Sequence, residues 1–86
     1  MYPIVSIVIP LFNKESTILR AVNSVFAQTN KNFELIIVND GSTDNSAKLV
    51  ESLSEDKRVR LINRENSGPG AARNRGIREA KTDLIA

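Results

Sequence analysis

Two apolar runs dominate the first half of the chain, and the way each one ends is as informative as the run itself. Residues 4–10 read Ile-Val-Ser-Ile-Val-Ile-Pro, and residues 34–40 read Glu-Leu-Ile-Ile-Val-Asn-Asp. Short, rich in β-branched side chains and bounded by polar residues, both predict strands covered on both faces, as in a parallel sheet. The first run is expected to stop at Pro10, because a proline inside a central strand removes a ladder hydrogen bond. The second breaks into Asn39, Asp40, Gly41, Ser42 and Thr43, residue types of tight turns and helix N-caps. Such a strand would deliver a carboxylate, Asp40, to its carboxyl end, where open parallel sheets bind their ligands.

Between and beyond these runs the period changes to that of a helix. From about residue 15 to residue 28, Ile18, Leu19, Val22, Val25 and Phe26 predict a core-facing stripe, with Arg20 and Asn23 opposite. A second helix is expected after a cap at Thr43 or Asp44, with Ala47, Val50 and Leu53 as its stripe. Residues 59–62 (Val-Arg-Leu-Ile) predict a third strand nearer a sheet edge. A third helix is expected over residues 70–80, and residues 83–86 read as the start of a fourth strand. The order β-α-β-α-β-α-β implies an α/β, Rossmann-like fold with a mostly parallel sheet and helices on both faces. Because the fourth strand is cut short, the pattern reads as the N-terminal part of a longer chain.

Composition narrows the chemistry. At 86 residues the chain makes one small domain at most. With 41% apolar and 26% charged residues it is not a disordered segment. It has neither cysteine nor histidine, which removes disulfides, thiolate metal sites and the commonest general base. No apolar run approaches the roughly 18 residues of a membrane span, and the first residues lack the basic start of a secretory signal. The expected location is cytoplasmic, or the inner face of the membrane in the intact protein. Residues 57–86 hold eight of the 12 basic side chains, which suggests an anionic partner, most simply phosphate. A solvated basic helix face is the plainer alternative.

Three segments carry a resemblance. Residues 5–13 (Val-Ser-Ile-Val-Ile-Pro-Leu-Phe-Asn), 33–44 (Phe-Glu-Leu-Ile-Ile-Val-Asn-Asp-Gly-Ser-Thr-Asp) and 66–76 (Asn-Ser-Gly-Pro-Gly-Ala-Ala-Arg-Asn-Arg-Gly) resemble, in this order and spacing, the start of glycosyltransferase family 2. The resemblance implies that residues 1–86 are the nucleotide-binding part of a truncated GT-A domain. It implies transfer of a sugar from a nucleotide-diphospho-sugar donor, typically a UDP-sugar, to an acceptor hydroxyl with inversion. The acceptor would be a carbohydrate or a lipid-linked group. A divalent cation, Mg or Mn, is expected in the intact enzyme, with its Asp-x-Asp ligands and the catalytic base beyond Ala86. These 86 residues would then hold a base and ribose without catalysing transfer.

The resemblance also assigns residues. Asp40 matches the carboxylate that contacts the nucleobase, typically uracil, whose N3–H donates where cytosine presents a lone pair. A hydrogen bond to a charged group is worth roughly 1.5–3 kcal/mol. Pro10 and Phe12 match the loop that lines base and ribose, where an aromatic ring adds about 1–3 kcal/mol by stacking. Phe12 stands where many relatives carry Tyr, so it brings no hydroxyl to the ribose. Arg73 matches an arginine near the donor and implies a pyrophosphate contact, at a helix start whose small residues include Gly70. Glu15 and Asn39 receive supporting roles, and Asp44 is read as a helix cap. Arg75 and Arg78 are read as solvent-facing. The plainer readings are a turn residue for Asp40 and a core anchor for Phe12.

Two rivals differ in class. A dinucleotide-binding dehydrogenase requires Gly-x-Gly-x-x-Gly after the first strand, and the loop here reads Pro-Leu-Phe-Asn-Lys. A non-catalytic nucleotide- or nucleic-acid-binding α/β module remains as the alternative; nucleic-acid binding would show steep salt dependence and little preference for UDP.

Overall fold

The computed structural model describes residues 5–28 and 32–82. In chain order it contains β1 (Val5–Leu11), α1 (Ile18–Ala27), β2 (Phe33–Asp40), α2 (Ser46–Glu51) with a 3₁₀ turn (Ser52–Glu55), β3 (Val59–Arg64) and α3 (Pro69–Glu79). The three strands form a parallel sheet in the order β1-β2-β3. The expected fourth strand, at residues 83–86, lies outside the described residues.

The alternation of side chains along β2 explains why helices cover both faces. All eight of its residues are buried. Phe33, Leu35 and Ile37 point one way and pack with Ile18 and Val22 of α1 and Val50 of α2. Ile36 and Val38 point the other way and pack with Ala72 of α3. Each aliphatic side chain buried this completely contributes about 1.5–3 kcal/mol. On the α3 side the fit depends on Gly76, one turn beyond Ala72, because a Cβ there would overlap Val8 Cγ1.

The same alternation puts two carboxylates, Glu34 and Asp40, on the face that carries α3. Asp40 accepts the backbone N–H groups of Ser67 and Gly68, one on each oxygen, both at 2.9 Å. At the other end of the strand, Glu34 Oε2 accepts the Lys81 N–H at 2.6 Å and the Ser6 hydroxyl at 2.6 Å. Residues 34 and 40 stand about 20 Å apart along the strand, and the 11-residue helix is about 16 Å long. α3 is therefore held just before its first residue and just after its last. Asp40 also lies at the helix end where negative charge is favoured.

Several expected boundaries shift. Pro10 does not end β1; the ladder continues through Pro10↔Val38 to Leu11↔Asn39. Among the described strands β1 is an edge, and there a missing N–H that faces outward breaks no bond. α1 begins at Ile18, not near residue 15, and Leu19 is 40% exposed, leaving Ile18 and Val22 as its buried residues. α2 is short because the chain tightens into the 3₁₀ turn at Ser52. β3 runs two residues farther than expected, to Arg64, and is an edge strand among those described. α3 starts at Pro69, where a proline needs no helical partner for its nitrogen.

Candidate functional site

The carboxyl ends of β1 and β2 open into a groove of about 520 Å³, within the roughly 300–1,000 Å³ typical of small-ligand sites. Pro10, Leu11, Phe12 and Lys14 form one wall, and Asn66, Gly68, Pro69 and Ala72 form the other. Asp40 lines the groove between them. Phe12 is 41% exposed, so it is no core anchor, and its ring is available to a flat ligand.

Asp40 is 2% exposed, and its environment is built from three elements. Beyond the two backbone donors, the Arg64 Nε lies 3.6 Å from Asp40 Oδ1. Arg64 is the register partner of Asp40 across the β2–β3 ladder and also donates to the Ala71 carbonyl at 3.0 Å. Each carboxylate oxygen spends one lone pair on a backbone N–H and retains another. Asp40 thus both fixes the 65–68 segment and offers acceptor capacity to the groove. Glycines make that approach possible. Gly68 has φ +96°, a conformation costly for other residues. Gly41 has φ +72°, and a Cβ there would stand 2.8 Å from Asn66 N.

A latch between loops sets the Phe12 wall. The consecutive amides of Asn13, Lys14 and Glu15 donate to Ser42 Oγ (3.1 Å), Ser46 Oγ (2.7 Å) and Asp44 Oδ2 (3.2 Å). In return Asn13 Oδ1 accepts the N–H groups of Thr43 (2.8 Å) and Asp44 (3.2 Å). Asp44 Oδ1 also takes the Ser46 N–H at 2.9 Å. Partial desolvation raises the pKa of Asp44, but hydrogen bonds from Ser46 and the Glu15 amide outweigh it and leave the carboxyl below its ordinary range.

The expected site residues divide accordingly. Pro10, Phe12 and Asp40 meet in the groove. Arg73 does not line it: Ala72 faces the sheet, and the next residue, about 100° around the helix, is exposed. Gly70 is exposed in the first turn of α3 and also stands outside the lining. Glu15 lies three residues before α1, so it adds no charge to that helix's first turn; its contribution is the amide bonded to Asp44. Asn39 shapes the turn, accepting the Ser42 N–H and donating to Asn63 Oδ1. Asn66, Lys14 and Arg64 were not singled out from the sequence. Arg64 would have been found by running the third strand to the β2 register.

The model of glycosyl transferase family 2 matches residues 6–86. The chain belongs to this family. An uncharacterized glycosyltransferase of Rickettsia felis is 45% identical over 82 residues, which are 95% of this chain and 14% of that protein. S. aureus TarS 1–349 in complex with UDP-GlcNAc superposes with a TM-score of 0.87 at 29% identity, over 95% of this chain and 25% of that one. A mannosyltransferase of Pyrobaculum calidifontis, in complex with GDP-Man and Mn2+, shares the fold at TM-score 0.85 and 22% identity, over 99% of this chain and 26% of its own. The fold is thus the Rossmann-like GT-A fold. The chain spans well under half the length of curated relatives such as these, 12% of one from Rickettsia bellii and 34% of one from Haemophilus influenzae.

Metal chemistry is a separate question. Among the described residues no three carboxylates converge on a point that could hold a cation. The groove lining contains a single carboxylate, Asp40, whereas a divalent cation takes several oxygen ligands. These residues therefore do not fit a divalent-cation site. No helix among the described residues is long and apolar enough to cross a membrane.

Proposed function

We propose that the groove holds the uracil and ribose of a UDP-sugar, and that residues 1–86 form the nucleotide-binding part of a single GT-A domain. Phe12 and Pro10 stack against base and ribose, and Asp40 accepts the uracil N3–H through a free lone pair. The observation that carries this reading is the placement of a buried carboxylate with unused acceptor capacity opposite an exposed aromatic ring in one groove. The diphosphate would leave the groove toward the cations at its rim. Lys14 lines the wall, and Arg73 reaches the same end of the sheet only by swinging its long side chain from the exposed face of α3.

In the full-length protein the sugar passes to a hydroxyl of a carbohydrate or lipid-linked acceptor with inversion, assisted by Mg or Mn bound by residues elsewhere in the protein. The 86 residues alone bind donor without transfer. We place the protein in the cytoplasm or at the inner face of the membrane, where nucleotide-sugars are drawn upon. The basic last third does not favour the nucleic-acid reading. Arg58, Arg60, Arg64 and Arg75 are paired with Asp56, Glu79, Asp40 and Glu79 respectively, so four of the eight basic side chains of residues 57–86 already have acidic partners.

Calorimetric titration of the full-length protein with UDP and CDP, with and without manganese, tests the reading. Loss of one charge-assisted hydrogen bond predicts UDP to bind about ten- to a hundredfold more tightly than CDP. Equal affinities would remove the base-reading role from Asp40.

A further inference from the structure

We infer that Asn13 is a positioning residue for the donor, acting through Phe12. The inference rests on the proposed nucleotide groove and adds to it what holds the aromatic wall in place. Phe12 is too exposed to be fixed by packing. Its position is set by the backbone on either side, where β1 ends at Leu11 and the next residue, Asn13, turns the chain with φ +50°. That conformation is uncommon for a residue with a side chain, and asparagine tolerates it better than most.

Asn13 also ties this turn to the neighbouring loop. Its Oδ1 accepts the Thr43 and Asp44 amides, its Nδ2 donates to Thr43 Oγ1 at 3.2 Å, and its own amide donates to Ser42 Oγ. The loop that receives these bonds follows directly from Asp40 and Gly41. Asn13 therefore couples the two halves of the site, fixing the ring at position 12 relative to the strand end that carries Asp40. A side chain that merely filled a turn would need the φ value but not three side-chain bonds to the adjacent loop.

The two requirements separate by mutation. Asn13→Gly keeps the backbone conformation and deletes the side-chain bonds, whereas Asn13→Asp keeps an acceptor for both amides. The test is a double-mutant cycle with Phe12→Ala in the full-length protein, reading UDP affinity by calorimetry and folding by thermal melting. Phe12→Ala should weaken UDP binding about five- to a hundredfold. Asn13→Gly should weaken it about fivefold or more in the wild-type background, and not at all once Phe12 is absent. Asn13→Asp should bind UDP within about twofold of the wild type, and this comparison stands even if Asn13→Gly folds poorly. The inference is overturned if Asn13→Gly binds like the wild type, if its effect persists undiminished in Phe12→Ala, or if Asn13→Asp loses binding as the glycine variant does. If the wild type binds UDP and Phe12→Ala is as tight, the fault lies in the groove assignment; if only the Asn13 arms fail, the groove stands and the positioning role does not.

Discussion

Replacing Asp40 by asparagine changes almost no volume and removes one acceptor, which makes it the cleanest perturbation of this site. The carboxylate takes the Ser67 N–H on Oδ1 and the Gly68 N–H on Oδ2. An asparagine can satisfy one of them with its carbonyl, but its NH₂ group then faces the other donor. One charge-assisted bond is lost, worth roughly 1.5–3 kcal/mol, and the surviving one weakens to that of a neutral pair, for a total near 2–4 kcal/mol. Arg64, only partly exposed, is left without its carboxylate, which adds to the cost. The damage should be local, because Glu34 still holds the far end of α3 through the Lys81 amide. Hydrogen exchange on full-length Asp40→Asn should therefore show the amides of Ser67 and Gly68 exchanging about thirtyfold to a thousandfold faster, with the β2 core amides changed far less. Wild-type exchange at both amides would refute the idea that Asp40 anchors this segment.

Other perturbations test the frame around the site. Gly76→Ala forces a methyl into Val8 and should cost about 1–3 kcal/mol in a urea melt, despite the better helix propensity of alanine; a stabilised variant would show that α3 does not lie so close to β1. Asp56 is held below the usual carboxylate range chiefly by its hydrogen bond from the Arg58 side chain, and Glu79 chiefly by that from Arg60. For both, the folded value is depressed, so their contribution is complete above the unfolded value near pH 4 and disappears as pH falls through the folded one. Stability should accordingly decline on acidification below about pH 4, and Asp56→Asn should flatten that decline; an increase in stability on acidification would contradict the pairing. Arg75→Ala breaks only a surface pair with Glu79 one turn away and should leave the melting transition essentially unshifted and UDP affinity within about twofold.

The parts of this molecule that were legible in the sequence are those encoded locally. The run of residues 34–40 announces a buried strand, and the turn after it announces where Asp40 ends up. Nothing local announces that Asp40 must serve Ser67 and Gly68, 27 and 28 residues on, or that Glu34 must serve Lys81 across 47 residues. Both roles follow from the face of β2 to which even-numbered residues point, and so become visible only once α3 is known to lie there. Arg73 shows the reverse case. Its motif places it near the site, but the phase of α3 turns Ala72 inward and leaves Arg73 outside the groove lining. Asn13 was legible as a loop residue closing the first resembling segment, without a role of its own, because its significance lies in bonds to residues 43 and 44.

The central claim is that a nucleotide base lies between Phe12 and Asp40, and a structure of the full-length protein with UDP bound tests it most directly. The account predicts the uracil against the Phe12 ring, with N3 within hydrogen-bonding distance of an Asp40 oxygen that still accepts its backbone amide. A uracil seated elsewhere, with this groove empty or filled by another segment of the chain, would contradict it.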